Sequence, residues 1–440
     1  MPLVFQLGEA DSVRRNFDRD CQSVKKSYLR PMSLDTRNDP SIFTALLRTN
    51  RVGGNTNAGD CQHSENILIL KIAVNSRMYL EKGTGVPNYI AYLYRACLKM
   101  DPANRYVFFQ PDQSRTIGET WTAPAGAGLA GAAWFDTLQT YKLTRKFAPD
   151  IFHGPSHILP FRRQKGVKYA VTIHDLSFRV LPEHYGWLHR VYYSWQVSHS
   201  LRIADVIVAD SHNTKRDIIR FYQVPAAKIE VVHLGVAEQF FATAETRPPR
   251  VVAEKYFLSI TTHPKRKNVL GALKAFALFA RHSDVQYVVV GLMGEPQRQE
   301  LLALAGELGI RDKVRLFGYA DDSQLVSLYQ NAEFTLYPSF YEGFGLPVVE
   351  AMACGCPVIA ANTSSLPEIM PDGEWLVDPH DIADIAARMQ RMLSLAPEAH
   401  RLISEKNQRR AREFTWEKAA VRMREIFLAL QNGTAGGAKF

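Results

Sequence analysis

Long apolar runs and cysteine are both scarce in this 440-residue chain. No run approaches the roughly 18 apolar residues that a transmembrane helix needs, so we expect none. The first residues carry charges at Glu9, Asp11 and Arg14 in place of an apolar core, and we therefore expect no secretory signal there. The five cysteines are an odd, scattered set. This favours a reduced, cytoplasmic protein over a disulfide scaffold.

Metal and nucleic-acid patterns are also missing from the sequence. Cys354-Gly355-Cys356 is not a zinc spacing, and no other metal cluster is visible. The net charge of +9 raises the question of nucleic acid, but the basic residues are dispersed and no helix-turn-helix pattern occurs. Most of the excess positive charge lies in residues 66–245, which carry 21 Lys and Arg against 14 Asp and Glu. A partner of that region is therefore expected to be anionic, and not nucleic acid.

The length and the order of the patterns predict two α/β domains. Residues 1–65 are polar without a sustained period, and we expect a disordered N-terminal extension. Buried-strand and helix patterns alternate over 66–245 and start again over 250–415, with a polar, proline-bearing stretch between them. Residues 121–133 are rich in Ala and Gly, and we interpret them as a loop.

Residues 337–357, YPSFYEGFGLPVVEAMACGCP, form the most informative stretch. A strand ends there, Gly343 and Gly345 loosen a loop, and Pro347 fits the first turn of a helix. Free backbone N–H groups at such a helix N-terminus bind phosphate. Glu342 and Glu350 flank the loop, and carboxylates accept hydrogen bonds from sugar hydroxyls. A ligand with a central diphosphate and a sugar at each end has this shape, and a nucleotide-sugar is such a ligand.

The bare pattern has a plainer interpretation. Strand–loop–helix turns with two glycines are common in α/β proteins and often bind nothing. The two glutamates favour the ligand site over a tight turn.

The motif Glu342-x7-Glu350 within EGFGLP…EAMA resembles the signature of the retaining glycosyltransferases of family 4. The resemblance covers roughly residues 70–430. It implies the GT-B fold, which is an α/β fold of two Rossmann-like domains facing across a cleft. The first domain would bind the acceptor, the second would bind the nucleotide-sugar, and a helix over 416–430 would cross back to the first. The implied donor-binding residues of this stretch are Glu342, Gly343, Phe344, Gly345, Leu346 and Glu350.

Two segments of the first domain also resemble the family. GTGVPNYIAYL, after the first strand, is similar to the family's first loop on the acceptor side of the cleft, which makes Gly85 a donor-binding candidate. His174 ends a predicted strand and precedes Asp175, a place suited to cleft chemistry. The residues alone favour a histidine that caps a strand. The resemblance implies that His174 sits beside the donor sugar.

The second domain opens with a strand and the basic loop 263–268, HPKRKN. Cations at a strand–helix junction neutralise a diphosphate, although a solvated basic turn has the same composition. The loop resembles a family segment in which Arg266 and Lys267 bind the phosphates. Thr261-Thr262 departs from the family pattern, where a glycine follows the first strand, and this leaves the role of the arginine open.

The resemblance implies a transferase that moves a hexose to an acceptor hydroxyl with retention. The catalytic candidates are His174, Arg266, Lys267 and Glu342, without a metal or cofactor. The motifs look nearest to mannosyltransferases of bacterial surface-polysaccharide assembly, so we expect GDP-mannose as donor and a lipid-linked or polysaccharide acceptor. UDP-glucose is the alternative donor, and a non-catalytic nucleotide-sugar-binding protein is the alternative class.

Membrane contact is a separate question. The segment 182–204 is dense in Trp, Tyr, His and Arg, and suits either a core helix or a helix lying in a membrane interface. We expect the core helix. The basic loop 161–165 is the better candidate for an anionic lipid headgroup, against the alternative of a solvated loop. We therefore expect a cytoplasmic protein and leave peripheral contact with the inner membrane open.

Overall fold

A computed structural model describes residues 69–434 except 80–84, 115, 127, 242–247, 262–264 and 371–372. The extension expected over 1–65 lies outside the described residues. So do His263 and Thr262 of the basic loop region and the first part of the loop before Gly85.

A parallel sheet forms the core of the first domain. In the described part of the chain its order is β3-β2-β1-β4-β5-β6-β7. The inner strands are mainly apolar and buried on both faces, as helix-covered parallel sheets require, whereas the edge strands Glu119–Thr122 and Ile229–Val231 are partly exposed. They are β1 Lys71–Asn75, β2 Arg105–Gln110, β3 Glu119–Thr122, β4 Ile151–Gly154, β5 Lys168–Ile173, β6 Val206–Ala209 and β7 Ile229–Val231.

Helices connect these strands. They are α1 Val86–Met100, α2 Gly128–Trp134, α3 Thr140–Phe147, α4 Ser177–Val180, α5 Trp187–Ile203 and α6 His212–Tyr222, with a π-helical turn, Phe135–Gln139, joining α2 to α3. The loop expected over 121–133 is wrong at both ends, because β3 runs to Thr122 and α2 begins at Gly128. Ala and Gly are small enough to permit both elements. Ser211 caps α6, since its hydroxyl accepts from the Thr214 N–H.

The second domain repeats the same construction. Its parallel sheet has the order β10-β9-β8-β11-β12-β13 within the described residues. The strands are β8 Tyr256–Ile260, β9 Gln286–Val290, β10 Val314–Gly318, β11 Thr335–Tyr337, β12 Val358–Ala361 and β13 Leu376–Val377. The helices are α7 Val269–Ala277, α8 Glu295–Glu307, α9 Asp322–Asn331, α10 Leu346–Ala353, α11 Leu366–Ile369, α12 Ile382–Leu393, α13 Pro397–Ala411 and α14 Trp416–Gln431.

Both sheets reverse their direction of winding between the first and fourth strands. These switch points lie between β1 and β4 in the first sheet and between β8 and β11 in the second. Loops leave the carboxyl ends of two such strands in opposite directions, which opens a crevice that α/β proteins use for ligands. The topology therefore directs attention to the loops that follow β8 and β11.

Helix α14 returns to the first domain and packs against α1. The Trp416 and Tyr92 rings stack with centroids 5.8 Å apart, and Phe427 lies edge-on to His153 at 5.8 Å. The chain passes so close at Gly235 that a Cβ there would lie 2.1 Å from the Trp416 nitrogen. The end of the chain thus ties the two domains together.

The aromatic segment 182–204 is not a core helix, contrary to our expectation. Helix α5 buries Val197 and Leu201 but exposes Trp187 and Trp195 on the opposite face. Composition showed how many aromatic residues the segment has, whereas the packing decides which face they occupy. No helix in the described ranges is long and apolar enough to cross a membrane.

Candidate active site

The loop between β11 and α10 has the geometry that its sequence predicts. Gly345 takes a left-handed conformation, with φ 111°, and precedes the helix, and Pro347 lies in the first turn. Within the described residues, the backbone N–H groups of positions 343 to 346 donate to no protein acceptor. A helix N-terminus with four unused donors is suited to an anion.

Arg266, Lys267 and Glu342 form a buried charge cluster at the switch point of the second sheet. The two cations follow β8 and the carboxylate follows β11, which pairs with β8. Arg266 NH1 donates to Glu342 Oε2 over 3.1 Å, and Lys267 Nζ lies 2.7 Å from Glu342 Oε1. The structure therefore brings together three predicted site residues that are 76 positions apart at most.

The charges of this cluster depend on one another. Burial raises the pKa of Glu342, but the charges of Arg266 and Lys267 outweigh burial and hold the pKa below its ordinary value. Burial lowers the pKa of Lys267 to about 8, although Glu342 opposes the shift. Arg266 stays charged, since Glu342 and Asp175 overcome the cost of its burial and raise its pKa. At neutral pH the cluster carries two cations and one anion.

Tyr337 and Tyr341 hold the cations in place. The Lys267 ammonium lies 4.5 Å from the centroid of the Tyr337 ring and donates to its hydroxyl. Arg266 NH1 also donates to the Tyr341 carbonyl over 3.0 Å. Cations fixed by such contacts need little reorganisation when an anion arrives.

Ser364 and Ser365 form hydrogen bonds with the backbone of the loop between β11 and α10. The Glu342 N–H donates to Ser364 Oγ over 2.9 Å, and the Ser365 hydroxyl lies 2.6 Å from the Phe344 carbonyl oxygen and 3.1 Å from the Glu342 carbonyl oxygen. Both serines belong to residues 364–368, SSLPE, which follow the signature stretch in the sequence. They fix the backbone on which the glutamate and the free N–H groups depend.

The two domains meet at Gly343. A Cβ on this residue would lie 2.0 Å from the His174 carbonyl oxygen, so only glycine fits. The Thr214 hydroxyl is within hydrogen-bonding distance of the carbonyls of both His174 and Gly343. The loop between β11 and α10 of the second domain therefore lies directly against the strand end that carries His174.

Both ring nitrogens of His174 are occupied by protein atoms. Nδ1 lies 2.7 Å from Asp210 Oδ2, and Nε2 lies 2.7 Å from the Pro155 carbonyl oxygen. Burial lowers the pKa of His174, but the adjacent Asp210 carboxylate outweighs it and the pKa is raised. The ring donates both protons and favours the imidazolium form. Its geometry suits positioning and a fixed positive charge better than proton transfer.

Sequence reasoning assigned no role to Asp175 or Tyr341. Asp175 Oδ1 accepts from the N–H and hydroxyl of Ser177, and the charge of Arg266 helps to hold its pKa low against burial. The Tyr341 hydroxyl donates to Asp217 Oδ2 over 2.7 Å and accepts from the Leu176 N–H. The sequence offered one signal for these two residues: Asp175 directly follows His174, and Tyr341 directly precedes Glu342.

Glu368 makes a second contact between the domains. Its two carboxylate oxygens accept from the N–H groups of His212 and Asn213, at the N-terminus of α6. Burial raises its pKa, but His233 and these N–H donors outweigh burial and lower it. A carboxylate at a helix N-terminus is favoured by the helix dipole.

Three predicted donor-binding residues stand apart from the charge cluster. Glu350 lies within α10, where the Tyr329 hydroxyl donates to it over 3.3 Å and burial raises its pKa to about 7. The Phe344 ring is buried against Phe414, which leaves its backbone N–H for a ligand. Gly85 is exposed at the start of α1, with φ 64°.

No group of three metal-ligating side chains occurs in the described part of the chain.

Two family models match the chain, one for each domain. Residues 84–240 match the model described as Glycosyltransferase Family 4. Residues 243–409 match the model described as Glycosyl transferases group 1. The two matches divide the chain between the two sheets.

Curated relatives add detail. The chain is 33% identical over 281 residues to O-antigen chain mannosyltransferase B of Escherichia coli. The aligned region covers 62% of this chain and 72% of the relative. It is 33% identical over 216 residues to the MMP alpha-(1->4)-mannosyltransferase of Mycolicibacterium hassiacum, covering 48% of this chain and 51% of that protein. The chain thus spans about half the length of the second relative.

Solved structures agree with the fold. The sucrose-phosphate synthase of Thermosynechococcus elongatus superposes with a TM-score of 0.67 at 22% identity, covering 83% of this chain and all of the other. Similarity at this identity concerns the fold alone. The two parallel-sheet domains confirm the predicted GT-B architecture.

Proposed function

The chain belongs to the family 4 glycosyltransferases, and from this premise we propose that it transfers mannose from GDP-mannose to an acceptor hydroxyl with retention of the anomeric configuration. The observation that carries the proposal is the buried cluster of Arg266, Lys267 and Glu342 beside the free N–H groups of α10. The names of the two mannosyltransferase relatives support mannose as the transferred sugar.

The diphosphate of the donor would lie between the cations and the helix N-terminus. Arg266 and Lys267 would neutralise charge that grows on the leaving phosphate as the glycosidic bond breaks. The N–H groups of residues 343 to 346 would bind the same oxygens. Electrostatic groups fixed in advance are usually the largest catalytic contribution, and loss of one donor commonly costs about 10²–10³ in rate.

The two glutamates would serve opposite ends of the donor. Glu350, on α10, would accept from the ribose hydroxyls. Glu342 holds both cations through its two oxygens. Its predicted contact with the hexose hydroxyls would use the remaining lone pairs of these oxygens. His174 would provide a fixed positive edge next to the sugar, since both its nitrogens are already engaged.

Bond making and breaking would take place on one face of the sugar. The bond between the anomeric carbon and the phosphate oxygen breaks, and a bond to the acceptor oxygen forms on the same side. The acceptor proton passes to the departing phosphate oxygen. This route needs neither a carboxylate nucleophile nor a metal. We therefore expect transfer to persist in the presence of a chelator.

The acceptor is proposed to be a lipid-linked or polysaccharide glycan, reached at the cytoplasmic face of a membrane. The relative named for O-antigen chain synthesis supports a growing glycan. The positive charge of residues 66–245 supports an anionic surface as the place of reaction.

Thermal-shift measurements with GDP, UDP and ADP at millimolar concentration test the proposal. A ligand that binds only the folded protein raises its unfolding midpoint. We expect a shift with GDP that disappears in an Arg266→Gln/Lys267→Gln double variant. Lys265→Gln is the matched control, because Lys265 is in the same loop but exposed.

The outcomes separate the donor from the class of enzyme. A shift with UDP alone would transfer the proposal to UDP-glucose. A shift with GDP but no turnover of GDP-mannose would favour a non-catalytic binding protein. No shift with any nucleotide, together with a double variant indistinguishable from wild type, would contradict a nucleotide-sugar site here.

A further inference from the structure

Helix α5 presents an exposed apolar stripe on the first domain. Trp187, Leu188, Val191 and Trp195 are 68%, 66%, 60% and 61% exposed. Their spacing places them on one face of the helix, opposite the side that contacts the core. Exposed side chains of this size in a continuous stripe mark an interaction surface more often than scattered surface residues do.

A groove with two arginines adjoins this stripe. It encloses about 450 Å³ between α4, α5 and α6, and its walls include Arg179, Trp187, Arg190 and Phe221. The Arg179 guanidinium lies 5.6 Å from the centroid of the Phe221 ring. Within the described residues, neither arginine forms an ion pair with a carboxylate. Two uncompensated cations with aromatic walls suit a phosphate attached to an apolar group.

The charged side chains on helix α5 itself are all positive. Helix α5 contains no Asp or Glu, and Arg190 and Arg202 lie on it. Glu183 is the one carboxylate in the short segment between α4 and α5, and its side chain is exposed toward solvent. A basic, aromatic helix of this kind binds in the headgroup region of anionic bilayers.

The basic loop 161–165 extends the surface at the far end of α5. His199 Nε2 lies 3.0 Å from the Pro160 carbonyl oxygen, which fixes the loop to the helix. Phe161 is 38% exposed, with the Arg162 guanidinium over its ring. Arg163 does not contribute, because Asp205 pairs with it through both carboxylate oxygens. The loop therefore adds one aromatic ring, Phe161, and two exposed cations, Arg162 and Lys165.

We propose that the α5 face, defined as Trp187, Leu188, Val191 and Trp195 with the Arg179–Arg190 groove and the 161–165 loop, docks on the surface of a bilayer that contains anionic lipid. The apolar stripe enters the interface between headgroups and acyl chains. The groove binds a lipid phosphate. The complementary charge commits the proposal to anionic lipid and not to a neutral surface.

Docking through this face would bring the cleft close to the membrane. Helix α4 begins one residue after Leu176, whose N–H donates to Tyr341 in the active-site loop. The His184 ring contacts Phe340, at 6.5 Å between centroids. A lipid-linked acceptor would then meet the cleft without leaving the bilayer. This last consequence rests on the proposed function, whereas the docking itself does not.

Flotation of the full-length protein with lipid vesicles tests the docking. We expect binding to vesicles of phosphatidylglycerol and phosphatidylcholine, and little binding to phosphatidylcholine alone. Arg190→Gln should weaken binding about fivefold, as expected for one cation near an anionic surface. Trp187→Ser/Trp195→Ser should weaken it at least about tenfold, because two large apolar side chains no longer enter the interface.

Leu278→Ser/Leu402→Ser is the matched control, since both leucines are exposed on the second domain, and it should bind vesicles like wild type. The nucleotide thermal shift of every variant reports folding and an intact cleft. Equal binding to neutral vesicles, or unchanged binding by the tryptophan variant, would overturn the proposal. The proposal would also be overturned if the wild-type protein did not bind vesicles but self-associated, and the tryptophan variant did not self-associate. The α5 face would then bind a second copy of the chain. Failure of GDP-mannose turnover would leave the docking result unaffected.

Discussion

Glu342→Gln is the most informative single change in the active-site cluster. The substitution keeps the shape of the side chain but removes the anion that is in direct contact with both Arg266 and Lys267. The three side chains are only 6%, 14% and 10% exposed, so solvent screens the remaining charges weakly. Breaking a buried ion pair from one side commonly costs about 3–5 kcal/mol.

The lower end of that range applies here. Lys267 already has a pKa lowered to about 8 by burial. Without Glu342 the ammonium loses the charge that opposes this shift, so it can release its proton and avoid part of the repulsion from Arg266. We therefore expect a loss of about 3 kcal/mol in the free energy of unfolding near pH 7. Urea unfolding followed by tryptophan fluorescence measures it.

Glu119→Gln provides the comparison. Glu119 accepts from two nitrogens of Arg105, as a buried pair would, but both side chains are largely exposed. Solvent screens this pair, so we expect little change in the unfolding midpoint. Equal midpoints for Glu342→Gln and Glu119→Gln would refute the argument that burial makes the active-site cluster interdependent.

Other substitutions test the cleft in different ways. Gly343→Ala should remove the nucleotide thermal shift, because its methyl group would collide with the His174 carbonyl; a normal shift would show that the domains need not meet there. In wild type, kcat/KM should fall below about pH 7 as Glu350 is protonated and above about pH 8 as Lys267 loses its charge. Glu350→Gln should lack the acid limb, and Lys267→Arg should move the basic limb to higher pH, whereas unchanged profiles would separate these groups from donor binding. Tyr341→Phe removes a hydrogen bond between the domains and should increase the radius of gyration measured by X-ray scattering; identical scattering would mean that other contacts hold the domains.

The sequence predicted the local parts of this molecule well. Gly345 and Pro347 begin α10 where their conformational preferences place them. The basic loop after β8 and the glutamate after β11 meet in space, as the resemblance to family 4 implied. The first prediction used the backbone preferences of single residues in a short segment. The second used motifs whose resemblance to a family implies how the strands are arranged.

Contacts between distant segments that lie outside the recognised motifs could not be predicted. Tyr341 bonds to Asp217 across 124 positions, and Glu368 caps α6 across 155. Nothing in either segment specifies the other, because the pairing depends on how the two domains face each other. Similarly, Arg163 looked available to a ligand in the basic loop, and only the fold shows that Asp205 neutralises it.

The aromatic helix shows a different limit. Trp and Tyr suit a core and a membrane interface equally well, so composition alone could not choose between them. The choice depended on the neighbours of α5, which cover Val197 and Leu201 and leave Trp187 and Trp195 exposed.

The rate at which the protein releases GDP from GDP-mannose, compared with that of Arg266→Gln, tests the central claim most directly. Wild type should turn over the donor, slowly with water and faster with an acceptor glycan. The variant should lose about 10²–10³ in rate, as expected when a fixed charge at the leaving group is removed. Equal rates in the two proteins would contradict a catalytic role for the cluster of Arg266, Lys267 and Glu342.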